Sequence, residues 1–98
     1  MRIPGYLLPL EFDGAGVSEF LLVPYVGACI HAPPPPPNQI VHVRLEGSYA
    51  TSELYTPVWV AGLLRAERSS RALSLVDGQA QIAVGYAMPD AEVTPYEN

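Results

Sequence analysis

The chain's single cysteine, both of its histidines and five consecutive prolines fall in one stretch, VPYVGACIHAPPPPPNQIVHV, residues 23–43. Cys29 and His31 flank one residue. On an extended backbone their side chains point to the same face, with Cα atoms roughly 6 to 7 Å apart, within reach of one metal ion. Thiolate and imidazole suit zinc or copper, but a structural zinc site takes four ligands and a catalytic one three plus water. The pair supplies two. His42 is the remaining histidine, and Glu19, Glu46 or Glu53 would complete a set only if the fold gathered them. The plainer reading is a half-buried free thiol and an imidazole bonded to the backbone.

The same residues suggest nucleophilic catalysis, with Cys29 as nucleophile, His42 or His31 as base, and Asn38 or Gln39 orienting the base or donating to an oxyanion. A nucleophilic thiol draws thiolate character from a helix N-terminus or nearby cations. No helix is expected after Cys29, which ranks a thiol-dependent hydrolase last. Pro33, Pro34, Pro35, Pro36 and Pro37 are expected to run as polyproline II, a rod roughly 15 Å long without N–H donors. Such a rod is read by aromatic-lined grooves on partners, or it serves as a strut over its own domain. The strut is preferred, because Asn38 and Gln39 directly after it are placed to tie its end back to the body.

The elements around this stretch read as strands. Short runs rich in β-branched and aromatic residues are separated by Gly, Pro, Asn and Asp. Five strands are predicted, at about 3–10, 18–25, 39–45, 58–67 and 80–88. DGAG (residues 13–16) reads as a hairpin turn. Gly5 is a natural bulge site, and Pro4 and Pro9 restrict the first strand to edge or bent positions. On the third strand, alternation puts Val41, Val43 and Leu45 on a core face and Ile40, His42 and Arg44 on a face at least partly wet. EGSYATSELYTP has room for one helical turn capped by Thr51 or Ser52. SSRALSLVDGQ is a loop or brief helix, and the acidic DAE and YEN near the C-terminus read as solvated tail. In the last strand, small Ala83, Gly85 and Ala87 alternate with larger residues, so another segment can lie close against them. The whole of residues 1–98 is read as one all-β domain, a small five-stranded Greek-key barrel like the oligonucleotide/oligosaccharide-binding (OB) fold, with an open β-sandwich as the alternative.

Composition narrows the partners. Ninety-eight residues, 49% hydrophobic, make one core and no separate catalytic domain. The net charge of −5 repels a polyanion, so nucleic acid is excluded as the expected partner. All five basic residues are arginines, and three of them, Arg65, Arg68 and Arg71, fall in LLRAERSSR, read as a solvated rim. One cysteine closes no intrachain disulfide. VGAC ending at Cys29 resembles a lipoprotein cleavage box, but Asp13, Glu19 and Pro24 interrupt what should be an apolar helix, so Cys29 is not read as the lipidated residue. No run reaches the roughly 20 apolar residues of a membrane-spanning helix.

From Gly5 to Val43, and again at PVWVAGLLR and GYAM, the chain resembles the bacterial family known as domain of unknown function 3299. The matching signature GACIHxPPPPPNQ covers Cys29, His31, Pro33 to Pro37, Asn38 and Gln39. The resemblance implies a small exported protein, often a predicted lipoprotein, encoded beside an ABC-type permease and ATPase, in some bacteria under zinc-responsive control. It carries over no catalytic residue, and His42 stands where the family has an aromatic. The MRIPGY start is read as that of a trimmed exported form, with any lipid anchor lying upstream. The resulting expectation is a non-enzymatic periplasmic accessory domain whose ledge of Cys29, His31 and residues 33–39 meets a transporter component or its cargo. Zinc or copper delivery through Cys29 and His31 is the alternative.

Overall fold

The computed structural model describes residues 1–13, 16–28, 35–50, 55–75 and 78–96. Among these residues six strands form: β1 (Arg2–Asp13), β2 (Gly16–Val23), β3 (Val41–Ala50), β4 (Thr56–Ala61), β5 (Arg65–Leu75) and β6 (Gly78–Pro95). A 3-10 turn (Pro37–Gln39) precedes β3. Among the described residues no helix is long and apolar enough to cross a membrane.

Five of the strands close on themselves. β1 pairs antiparallel with β2 and β4, β2 with β3, and β4 with β6, while β3 and β6 run parallel and shut the ring. This is the barrel-like, Greek-key arrangement that the spacing of apolar runs predicts, and closure removes the exposed edges of its five strands. The predicted fourth strand is in fact two. Gly62 breaks the run, β4 ends at Ala61, and the polar segment expected to be a loop or helix forms β5, an antiparallel hairpin with the first half of β6. β6 is also longer than expected and takes in Asp90 and Glu92, which are exposed strand residues rather than tail.

The long β6 changes partners along its length, from β5 to β3 to β4. Two residues of β6, Pro89 and Asp90, stand opposite Arg44 of β3, a bulge that turns the strand. Asp90 takes the left-handed conformation there, with φ of 53°. The hairpin expected at DGAG is present, since Asp13 pairs with Gly16. Gly5, however, is not a bulge. It pairs regularly with Val58, and a Cβ on it would meet Leu22 Cγ at 2.7 Å, so its role is close packing. The irregularity of β1 lies between Pro9 and Phe12 instead. Pro4 pairs only with β4 and Pro9 only with β2, so each sits where β1 is locally an edge and no ladder donor is lost.

Two apolar clusters result. Leu7, Phe20, Leu22, Val43, Val58, Val60 and Met88 fill the ring. Leu8, Leu21, Val23, Ile40, Ile82 and Val84 form a second cluster, which the β5–β6 hairpin helps to build by contributing Ile82 and Val84. The strands are therefore buried on both faces at residues 7–9 of β1, 20–23 of β2 and 41–43 of β3. Tyr55, at φ of 60°, accepts a strained backbone to reach the second cluster, where its N–H donates to Leu7 (2.8 Å) and its hydroxyl to the carbonyl of Ala28.

Candidate functional site

Of the signature residues, Cys29, His31, Pro33 and Pro34 lie outside the described residues, as does the proposed helical turn at residues 51–54. The far end of the proline run is defined. Pro35 is buried and Pro36 is exposed in polyproline II geometry, with φ of −55° and ψ of 146°. The rod does not run through Pro37 as predicted. Pro37 begins the 3-10 turn, a first position that suits proline because its missing N–H would have no partner there. The tie to the body expected at Asn38 and Gln39 is made instead by packing of the turn on Gly85, and the main-chain bonds there only close the turn on itself. Gln39 N–H donates to Pro36 O at 2.9 Å and Ile40 N–H to Pro37 O at 3.2 Å, while Asn38 and Gln39 themselves are exposed.

The turn rests on β6. A Cβ on Gly85 would lie 2.6 Å from Pro37 O and 3.2 Å from Asn38 Cα. β6 pairs with β3 only from Tyr86 onward, so the preceding edge is where the turn packs. Between the turn and the β5 bulge at Glu67 and Arg68 runs an open groove of about 730 Å³, lined by Pro37, Asn38, Ala66, Arg68, Val84 and Tyr86 among others. Pro36, Pro37, Asn38 and Gln39 thus form an exposed ledge, pinned by buried Pro35 and Ile40 at its ends and by Gly85 beneath.

A second constellation gathers His42 and Glu19, two residues of the candidate metal set, with three arginines outside that set. His42, expected on a partly wet face, is 5% exposed and hydrogen-bonds through Nε2 to the carboxylate of Glu19. Strand register explains the meeting. Leu21 and Ala87 flank His42 on either side, Arg65 pairs with Ala87 beyond it, and Glu19 pairs with Arg44, one diagonal step from His42. The hairpin folds Arg71 toward the same place. Burial drives the His42 pKa below its ordinary value; the hydrogen bond and charge of Glu19 oppose this, and the cationic Arg71 and Arg44 reinforce it. Neutral His42 donates its Nε2 proton to Glu19. Among the described residues no three His, Cys, Asp or Glu side chains are grouped so that they could hold a metal ion. Arg65 and Arg71 are strand residues at this site, not parts of a loop rim. The signal in the sequence was the shared face of His42 and Arg44; what it lacked was the hairpin that brings the other two arginines over.

On a third face, the Arg2 guanidinium lies 4.3 Å over the Trp59 ring, which stacks on Tyr96 with centroids 5.3 Å apart.

The model of the family described as protein of unknown function (DUF3299) matches residues 1–95. The chain belongs to the DUF3299 family. The DUF3299 fold seen here is also that of a solved relative, a DUF3299 family protein from Pseudomonas aeruginosa PAO1. It is 47% identical, with a TM-score of 0.78 over 99% of this chain. This DUF3299 chain spans 60% of the length of that protein. No curated protein matches the chain.

Proposed function

We propose that this DUF3299 chain is a non-enzymatic accessory domain of the bacterial envelope, serving an ABC-type transport system by presenting its proline ledge to a protein partner. One observation supports the reading above others. Four consecutive residues, Pro36, Pro37, Asn38 and Gln39, stand exposed while their backbone is fixed by two hydrogen bonds and by contact with Gly85. A surface held rigid before binding loses little conformational entropy when a partner arrives, so more of its contact energy is realised as affinity. The adjoining groove offers a partner both apolar wall, at Val84 and Tyr86, and charge, at Glu67 and Arg68. Cys29 and His31 precede the ledge in the chain and would join the contact through its approach.

The role is tested by placing a photo-crosslinking residue at position 38 and irradiating envelope membranes. The expected adduct contains an ABC permease, its ATPase or a soluble partner encoded with them. Gly85→Ala, which displaces the ledge without altering any of its residues, is expected to abolish that adduct. An adduct of equal yield in Gly85→Ala would overturn the reading.

A further inference from the structure

His42, Arg44, Arg65, Glu67 and Arg71 line a cavity of about 150 Å³ beside Ala87 and Pro89. The chain is acidic overall and holds five cationic side chains, yet three of them meet at this one small place. Clustered guanidinium groups repel one another, and Glu67 is the only carboxylate among the cavity residues to offset them. Glu19 approaches from the neighbouring strand but is engaged by His42. The Nε of Arg71 is buried and finds no hydrogen-bond partner among the described residues, where buried donors are ordinarily paired.

We propose that this cavity binds a phosphoryl oxyanion, held by Arg44, Arg65 and Arg71, with the buried Nε of Arg71 as one donor. Guanidinium forks match the oxygens of phosphate and carboxylate groups in bidentate fashion. Geometry favours phosphate. Three guanidinium groups against Glu67 in the lining and Glu19 beside it leave the place one charge positive with His42 neutral, and the three terminal oxygens of a phosphoryl group give each guanidinium an acceptor where a carboxylate offers two. The cavity accommodates one such group, so anything attached to it extends past exposed Arg44 and Arg65 into solvent. This site shares Glu67 with the groove beside the ledge, but its binding of an anion does not rest on the ledge contact.

The test is a backbone amide NMR titration at pH 7.5 and constant ionic strength, with inorganic phosphate, glycerol 3-phosphate and acetate as probes. Phosphate is expected to give saturable shifts at residues 42, 44, 65, 71 and 87 with a Kd of about 1 mM or tighter, weakened about tenfold or more in Arg71→Gln. Arg65→Gln, an exposed change that spares the core, is expected to weaken binding severalfold, and Arg68→Gln, which faces the other groove, to leave it unchanged. Tighter binding of glycerol 3-phosphate than of phosphate would identify a phosphomonoester as the ligand, and equal binding free phosphate. The proposal is overturned if acetate binds as tightly as phosphate, if no shift saturates by about 20 mM, or if Arg68→Gln weakens binding as much as Arg65→Gln.

Discussion

Gly85 and Pro37 meet so closely that no side chain fits between them: a Cβ on the glycine would stand 2.6 Å from the proline's carbonyl oxygen and 2.9 Å from its carbonyl carbon. Both neighbours are backbone, so neither yields by a change of rotamer. Gly85→Ala must therefore push the 3-10 turn off β6. The expected cost is about 1 to 3 kcal/mol in urea unfolding. Amide hydrogen exchange at Gln39 and Ile40, whose N–H groups close the turn, should accelerate more than exchange in the ring strands. Unchanged exchange at these two amides would show that the turn does not depend on the contact.

The burial of His42, only partly offset by Glu19, makes stability depend on pH in a defined direction. Because the folded-state pKa of His42 is lowered, the unfolded chain binds the proton more readily wherever pH lies between that value and the unfolded value of about 6.5. More protons bound by the unfolded state means that stability rises with pH across this window. It should therefore fall on acidification through about pH 6.5, and His42 should stop contributing to the change once pH drops below its folded pKa. Urea unfolding between pH 7.5 and 5.5 checks this, with His42→Gln showing a smaller loss. Glu19→Gln removes the charge that supports the imidazolium, so the His42 ring should titrate at still lower pH by NMR.

Arg2, Trp59 and Tyr96 form a cation–ring–ring stack on the outside of the ring strands. Arg2 and Tyr96 are exposed, which limits the energy at stake. Arg2→Ala should cost about 0.5 to 1 kcal/mol. Because Trp59 is the only tryptophan, its fluorescence reports the loss directly, and an emission spectrum identical to that of the parent would argue against the stack.

Asp90 holds a left-handed backbone at the bulge that hands β6 from β3 to β4. A β-branched residue tolerates that conformation poorly, so Asp90→Val should lose about 1 to 2 kcal/mol. Asp90→Gly should stay within about 0.5 kcal/mol of the parent, since glycine adopts positive φ freely. Thermal unfolding of the two variants side by side separates backbone strain from loss of the carboxylate, which both share.

The strand periodicity and turn residues carry most of the barrel. The alternation of Val41, Val43 and Leu45 against Ile40, His42 and Arg44 predicts the ring-facing side of β3, and Asp13 to Gly16 predicts the first hairpin. β5 is hidden because RAERSSRALSL has no β-branched residue and pairs on one side only, with β6, so its strand character comes from its partner rather than from its own composition. That omission accounts for the others. Without the hairpin, nothing covers the second face of β3, and His42 reads as wet when it is buried. The small residues of β6 do predict a close neighbour, and Gly85 receives Pro37. The polar pair Asn38 and Gln39 misleads in detail, because both are exposed and the turn is held to the body by its backbone packing on Gly85.

We propose the ledge at residues 36–39 as a preformed protein-binding surface. Photo-crosslinking from position 38 in envelope membranes, compared between the parent and Gly85→Ala, tests it most directly. The account predicts one dominant adduct with an ABC-type transport component or a partner encoded with it, lost when the ledge is displaced. No adduct from the parent, or the same adduct in the same yield from Gly85→Ala, would contradict it.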